Sequence, residues 1–136
     1  MFILREAATE VATMAWVLLL VAGLFEIVWA LGMKKADGFT KLWPSVWTIA
    51  AMIVSFVLLG LAVKSLPVGT AYAIWTGIGA AGTAAFGILI YNEALTLSRV
   101  GCIVLILAGT IGLKLSALSE EAAPSPPSGE PPADLR

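Results

Sequence analysis

Long apolar runs, separated by short charged segments, are the main pattern along this chain. Residues 42–63 and 65–92 contain no charged side chain, and residues 11–33 contain only Glu26. A helix that crosses a membrane needs about 20 mostly apolar residues. Each of these three runs is long enough, so each predicts a transmembrane helix.

A fourth apolar run, 100–113, is shorter and ends at Lys114. It reaches spanning length if the Lys114 amine extends toward the lipid headgroups. Within lipid only helices and closed barrels satisfy their backbone groups, and these runs lack the alternation of barrel strands. We therefore predict an all-α integral membrane protein with four transmembrane helices per protomer. The predicted helices lie at 14–33, 44–63, 69–91 and 98–118.

The two ends of the chain differ from this four-helix transmembrane domain, residues 14–118. Residues 1–13 have mixed composition and form a predicted N-terminal extension. Residues 119–136 hold five of the seven prolines and four acidic side chains. We expect this tail to be disordered. A cleaved signal peptide is disfavoured because the first apolar run is too long and no cleavage pattern precedes the second.

The composition supports a membrane protein and excludes several other classes. Hydrophobic residues make up 60% of the chain and charged residues 12%, whereas a soluble domain is about half apolar and a quarter charged. A net charge of −1 provides no basic field for nucleic acid. One cysteine and no histidine make a metal site unexpected. No nucleophile–base pair or cofactor motif indicates an enzyme.

The positive charges are balanced across the two sides of the predicted membrane domain. One side carries Arg5, Lys64, Lys114 and Arg136, and the other carries Lys34, Lys35, Lys41 and Arg99. This balance gives the positive-inside rule little to act on. Two interpretations stay open: a marginal bias toward one orientation, or insertion in both orientations, which would give an antiparallel dimer.

Glu26 is the one acidic residue within the predicted spans. An acidic side chain at the bilayer centre costs about 2.5–3.5 kcal/mol on insertion scales, so it usually faces a wet cavity, a partner or a bound proton. Such a carboxyl group can carry a proton and, when ionised, attract a cation. The alternative is a protonated glutamate that hydrogen-bonds a neighbouring helix.

Small and aromatic residues share the predicted helix face of Glu26. Gly23 lies three residues before it and Trp29 three residues after it. Gly23 leaves space beside the carboxyl group, and the Trp29 indole offers an apolar wall or a cation–π surface. The pattern therefore favours a cavity next to the acid.

Further polar and aromatic residues occur on the second and third spans. Ser55 is polar and intramembrane, and Tyr72, Trp75 and Thr76 follow helical spacing that puts them on one face. Tyr72 is equally compatible with an interfacial aromatic belt. Trp16 also suits the membrane interface.

Glycines occur mainly inside the predicted spans. Gly77 and Gly79 predict either a helix-three kink that changes between states or close packing without motion. The Gly79, Thr83 and Gly87 spacing is typical of a close-packing stripe. The fourth-span glycines predict a helix–helix contact, within the chain or across a dimer.

Four helices with one acidic side chain cannot easily enclose a polar cavity. A homodimer would supply eight helices and two copies of Glu26, whose titrations would be coupled. A cation that enters between two carboxylates competes with protons for the same charge, and this competition is sufficient for exchange.

Two segments carry a family resemblance. Residues 23–30 (GLFEIVWA) and 64–80 (KSLPVGTAYAIWTGIGA) resemble the small multidrug resistance family, and the similarity extends over residues 14–117. Trp29 and the 109–114 ending resemble its guanidinium-exporter branch more than its broad-spectrum polyaromatic-cation branch.

The resemblance implies an antiparallel, dual-topology dimer in a bacterial inner membrane. It implies that Glu26 is the shared site for protons and substrate, with Trp29 and Ser55 hydrogen-bonding and orienting it. Tyr72 and Trp75 would line the pocket, and Tyr72 would couple the protomers. It further implies that Gly23 gives the substrate room, that Gly77 and Gly79 form a hinge, and that Gly101, Gly109 and Gly112 form the dimer seam.

We therefore expect a proton-coupled antiporter for guanidinium and small guanidinyl cations, without a cofactor. A broader quaternary-ammonium efflux pump and a non-transporting membrane chaperone or assembly subunit remain alternatives. Pairing with an unequal relative, instead of homodimerisation, also stays open. Deletion of residues 119–136 separates the classes, because a transporter keeps its activity and a tail-dependent adaptor loses it.

Overall fold

The computed structural model describes the backbone of residues 2–122 and the side chains of residues 10–119. It confirms the predicted all-α fold with four helices long and apolar enough to cross a membrane. The helices are α1 (Phe2–Lys35), α2 (Leu42–Ala62), α3 (Val68–Tyr91) and α4 (Leu97–Ala122).

The helix ends differ from the prediction mainly at the termini of the chain. α1 begins at Phe2, so the backbone of the predicted extension continues the first spanning helix. α4 continues to Ala122, into the first residues of the predicted tail, because Ser119, Glu120, Glu121 and Ala122 do not interrupt a helix. The rest of the predicted tail, residues 123–136, lies outside the described residues.

A tightly packed core lies at the end of the protomer where α2 leads into α3. Leu19 of α1 is fully buried there, between Leu59 and Ala62 of α2 and Ile74 of α3. Small residues such as Ala62 let the helices approach closely, as is typical of helix contacts in membranes. This core closes one end of the protomer.

Trp16 belongs to this core, which corrects its prediction as an interfacial residue. Its side chain is 8% exposed, and the Lys114 ammonium lies 5.5 Å from its ring centroid. The amine of α4 therefore lies over an aromatic ring of α1, where a cation–π contact offsets part of the cost of burial.

α1 and α3 interlock through glycine notches along their contact. The Ile78 side chain fills the space beside Gly23, and Glu26 lies against Gly79. One turn further along, Ile27 fills the space beside Gly82. Each helix thus places side chains where the other has none, which lets the two backbones approach closely.

α4 is the least enclosed helix. It packs mainly on α3, where Thr110 lies against Gly77, and no residue in its most apolar stretch is buried within the protomer. A side chain added at Gly101, Gly109 or Gly112 would meet open space within 4 Å. The glycine face predicted to form a dimer seam is therefore uncovered within one protomer.

The connections use left-handed backbone geometry. Asp37, Gly38 and Phe39 have positive φ values of 53°, 64° and 69°, which reverse the chain between α1 and α2. Asn92 ends α3 with φ 51° and ψ 38°. Asparagine tolerates this conformation better than most residues do, so it forms an effective C-terminal stop.

We predict that Gly32→Ala destabilises the protein by about 1–3 kcal/mol, the usual cost of overpacking. The added Cβ would lie against the Thr48 side chain, 3.3 Å from its Cβ, in the contact between α1 and α2. Equilibrium unfolding in mixed detergent micelles measures the change.

Gly60→Ala is the matched control, because nothing lies within 4 Å of its added Cβ. Alanine is favoured over glycine in a helix by about 0.5–1 kcal/mol, so this variant should be at least as stable as the parent. Equal stability of the two variants would contradict the close α1–α2 contact.

Candidate functional site

Glu26 lies in the middle of α1 and is held from two sides. The Trp29 indole nitrogen donates a 2.7 Å hydrogen bond to its Oε2 atom. The two residues are three apart, so one helix face carries both groups. On the other side, the missing side chain of Gly79 leaves space for the Glu26 methylene groups. α1 and α3 therefore fix this carboxyl group together.

Ser55 of α2 is fully buried and links three helices. Its hydroxyl group donates a 2.8 Å hydrogen bond to the Ala22 carbonyl oxygen and accepts one of 3.1 Å from the Trp75 indole nitrogen. The structure thus brings Ser55 and Trp75 together with the α1 backbone one turn before the acid.

Tyr72 lies away from Glu26 within the protomer. Its side chain is 56% exposed, and its ring centroid lies 5.4 Å from that of Trp75. The described protomer therefore does not bring Tyr72 into one cavity with the acid.

Gly23 and Gly79 have packing partners that sequence analysis did not identify. The space beside Gly23 is filled by Ile78, so within this protomer it is not free for a substrate. The space beside Gly79 is filled by Glu26 itself. These glycines shape the α1–α3 contact, whether or not α3 also bends here.

A cavity of about 550 Å³ extends from Glu26 along α1 and α3 toward the α3–α4 connection. Small residues of α3 form one wall, which leaves room beside the acid. They are Gly79, Ala80, Thr83, Ala84 and Gly87. The stripe predicted to pack against another helix thus lines a cavity for most of its length.

Charged residues surround the far end of this cavity. Glu93, in the α3–α4 connection, accepts a 2.9 Å hydrogen bond from Lys34 Nζ at Oε1 and a 2.8 Å hydrogen bond from Arg99 Nη2 at Oε2. The Lys34 ammonium also lies 4.2 Å from the ring centroid of Tyr91. We refer to Lys34, Tyr91, Glu93 and Arg99 as the mouth cluster.

The two cations hold Glu93 in its ionised form. The hydrogen bond and charge of Lys34 lower the pKa of the Glu93 carboxyl below its ordinary value of 4.5, and Arg99 lowers it further. Glu93 therefore keeps its negative charge at neutral and mildly acidic pH, and loses it only as the pH falls through this lowered pKa.

Thr83 lies on the cavity wall between the two acids. Its hydroxyl oxygen is buried and has no hydrogen-bond partner among the described residues. Thr76, nearer Glu26, instead donates to the Tyr72 carbonyl oxygen at 2.8 Å. Neighbouring atoms cover this oxygen, so Thr83 forms part of the cavity wall without presenting its hydroxyl group to the cavity.

Both charged and apolar side chains line this cavity. The described His, Cys, Asp and Glu side chains form no group of three that could hold a metal. The cavity instead has two carboxyl groups, those of Glu26 and Glu93, with polar side chains and apolar walls between them, and a few polar groups in an apolar wall are usual for a small-molecule site.

Sequence analysis missed the mouth cluster. Lys34 and Arg99 served there only as markers of topology, and Glu93 only as the end of an uncharged run. Lys34 and Glu93 are 59 residues apart, so only helix packing brings them together. One available signal was that both residues end apolar runs on the same side of the predicted membrane.

Comparison with known proteins assigns the chain to a family. The family model described as Small Multidrug Resistance protein matches residues 14–107. A guanidinium exporter of Proteus vulgaris is 57% identical over 104 residues, which cover 76% of this chain and 100% of that relative. Guanidinium exporters of Citrobacter freundii and Salmonella typhimurium strain LT2 are each 58% identical, over 76% of this chain and 98% and 99% of their own lengths.

These relatives are bacterial, and four helices of this chain can cross a membrane. The chain is therefore a multi-pass protein of a bacterial inner membrane, and a transporter instead of an enzyme. The matched range and the identity over the whole length of a relative both show that the chain belongs to the small multidrug resistance family.

Proposed function

We propose that this protein exports guanidinium and small guanidinyl cations in exchange for protons, with Glu26 as the exchange site. The observation that carries the proposal is the Glu26 carboxyl group itself, which lines a cavity in the membrane domain and accepts a hydrogen bond from Trp29. The names of the exporters with 57–58% identity support guanidinium as the substrate.

The chemistry of guanidinium fits this site. The ion is planar and can donate two parallel hydrogen bonds to one carboxylate, which gives strength and directional selectivity. Trp29 donates to one carboxylate oxygen, Oε2, and so restrains the orientation of the carboxylate that lines the cavity. A flat cation can also stack on aromatic faces, whereas neutral urea has the shape without the charge.

Exchange follows from competition for one negative charge. Protonated Glu26 releases its proton to the side where the substrate is bound, and the resulting carboxylate binds a guanidinium ion. The protein then opens to the other side, where protons displace the cation. Glu26 binds a proton or a guanidinium ion, but not both at once. Each transport cycle therefore moves protons in one direction across the membrane and the substrate in the other.

A second copy of the chain completes the transporter in this proposal. The apolar stretch of α4 is uncovered in the protomer, and Gly101, Gly109 and Gly112 present a flat surface there. An antiparallel homodimer would cover this face and bring two copies of Glu26 and the exposed Tyr72 toward a shared space. The balanced positive charges on the two sides support insertion in both orientations.

A substrate panel on reconstituted protein tests the function. We expect proton-coupled transport of guanidinium and methylguanidine, weak transport of tetraphenylphosphonium, and no transport of urea. Proton flux measured by a pH-sensitive dye in liposomes reports the coupling. Transport of urea without proton movement would contradict exchange of charge, and preferential transport of tetraphenylphosphonium would favour a multidrug pump.

We predict that Glu26→Gln abolishes coupled exchange, a loss of at least 100-fold, while the protein remains folded in detergent. The amide keeps the shape of the side chain but cannot take up or release a proton near neutral pH. The assay is guanidinium-driven proton flux in liposomes.

Glu10→Gln is the matched control, because it makes the same change on the same helix at an exposed position outside the cavity. It should transport as the parent does. Coupled exchange that survives in Glu26→Gln would overturn the assignment of the exchange site.

We predict that Trp29→Phe raises the KM for guanidinium about tenfold. A hydrogen bond to a charged group contributes about 1.5–3 kcal/mol, and about 1.4 kcal/mol corresponds to a factor of ten. Phenylalanine keeps an aromatic ring but lacks the N–H group that contacts Oε2. Initial rates of uptake into liposomes measure the KM.

The corresponding control is Trp43→Phe, which alters an indole that is 74% exposed and outside the Glu26 cavity. Its KM should stay within twofold of the parent value. A similar KM for both tryptophan variants would remove Trp29 from the binding site.

A further inference from the structure

We propose that Glu93 is a second, outer binding site for the guanidinium-type substrate, at the mouth of the cavity that contains Glu26. This inference rests on the proposed function. In it, an arriving cation replaces Lys34 on the Glu93 carboxylate and then moves along α3 to Glu26. The same steps in reverse release the substrate on this side.

The structure already contains a guanidinium group bound to Glu93. Arg99 donates from Nη2 to Glu93 Oε2 at 2.8 Å and from Nη1 to the Ala94 carbonyl oxygen at 3.2 Å. This carboxylate is therefore placed and ionised to receive the same chemical group that the substrate carries. Among the described side chains, Lys34 alone holds its second oxygen, Oε1, at 2.9 Å.

Lys34 occupies the place where a second cation would bind. Its ammonium contacts Glu93 Oε1 and lies over the Tyr91 ring, 4.2 Å from the centroid. A carboxylate beside an aromatic face is a suitable receptor for a flat cation. The Tyr91 ring is held in place because its hydroxyl group donates a 2.9 Å hydrogen bond to the Leu31 carbonyl oxygen.

Lys34 is the cation that a substrate can displace. Its side chain is 53% exposed, so its ammonium can return to water, and it contacts Glu93 through a single oxygen. Exposed ion pairs of this type contribute only about 0–1 kcal/mol. Arg99 is less exposed, at 36%, and has a second partner in Ala94.

One stripe of α3 connects the two acids. Glu26 lies against Gly79, and a Cβ added at Gly87 would lie 3.1 Å from Glu93 Oε2. Eight helical residues separate these glycines, which corresponds to about 12 Å along the axis. Ala80, Thr83 and Ala84 line the same cavity wall between these glycines. The path thus has an acidic side chain at each end and small side chains between them.

The competing explanation is a structural latch, in which Lys34 and Glu93 only tie the end of α1 to the α3–α4 connection. The two explanations predict different directions for the change in KM. If Glu93 binds substrate and Lys34 competes with it, removal of the two side chains changes the KM in opposite directions. If the pair is a latch, either removal breaks the same bridge and changes the KM in the same direction.

The experiment measures guanidinium transport by the full chain in liposomes for Glu93→Gln and Lys34→Met. We expect Glu93→Gln to raise the KM three- to tenfold and Lys34→Met to lower it two- to fivefold, with the maximal rate of each within twofold. Lys35→Met is the matched control, because it removes an adjacent positive charge that has no ion-pair partner among the described side chains. Its KM should stay within twofold.

A shift of both variants in the same direction would overturn the outer site and favour the latch. An equal KM decrease in Lys34→Met and Lys35→Met would show that loss of any nearby positive charge has this effect. That result would also overturn the outer site. Both outcomes leave guanidinium transport by the parent protein intact, so they are distinct from failure of the proposed function, in which the parent itself does not transport guanidinium.

Direct binding provides a second test that does not depend on transport. Guanidinium should still bind weakly to the Glu26→Gln protein in detergent, and Glu26→Gln combined with Lys34→Met should bind it two- to fivefold more tightly. Titration calorimetry measures both. Absence of binding to both proteins would overturn the outer site, even if Glu93→Gln could not be purified in folded form.

Discussion

The structure is organised around the need to keep one carboxyl group inside a membrane domain. A charged group in lipid requires polar partners or a wet cavity, and Glu26 has both a hydrogen-bond donor and a cavity. Trp29 supplies the donor from the same helix, and Gly79 supplies the space from α3. The absence of a side chain at Gly79 therefore has two effects: it lets α1 and α3 approach closely, and it makes room for Glu26 between them.

The protomer is asymmetric along the membrane normal. A dense core around Leu19 and Ile74 closes the end where α2 leads into α3, whereas the cavity extends toward the opposite end. The charged residues that surround this cavity are far apart in sequence and come from α1, α4 and the α3–α4 connection. Glu26 lies at one end of this cavity and Glu93 at the other, so both ends present the same type of chemical group.

The sequence predicted the features that follow from the apolar environment of lipid and from the geometry of a single helix. Uncharged length located the four spans, because lipid penalises charge strongly, and spacing of three residues placed Trp29 beside Glu26. The sequence did not predict contacts that require the packing of two helices, such as Ile78 against Gly23 or Lys34 against Glu93. It also gave no reason for α1 to begin before residue 14, since mixed composition neither requires nor prevents a helix.

The glycine notches between α1 and α3 restrict how these helices can move. Ile78 of α3 projects into α1, while Glu26 and Ile27 of α1 project into α3. Sliding or rotation of one helix must withdraw side chains in both directions at once, so intermediate positions have steric clashes. The pair consequently has a few discrete registers instead of a continuous range. In the proposed exchange cycle, such discrete registers would limit partly open states through which protons could leak.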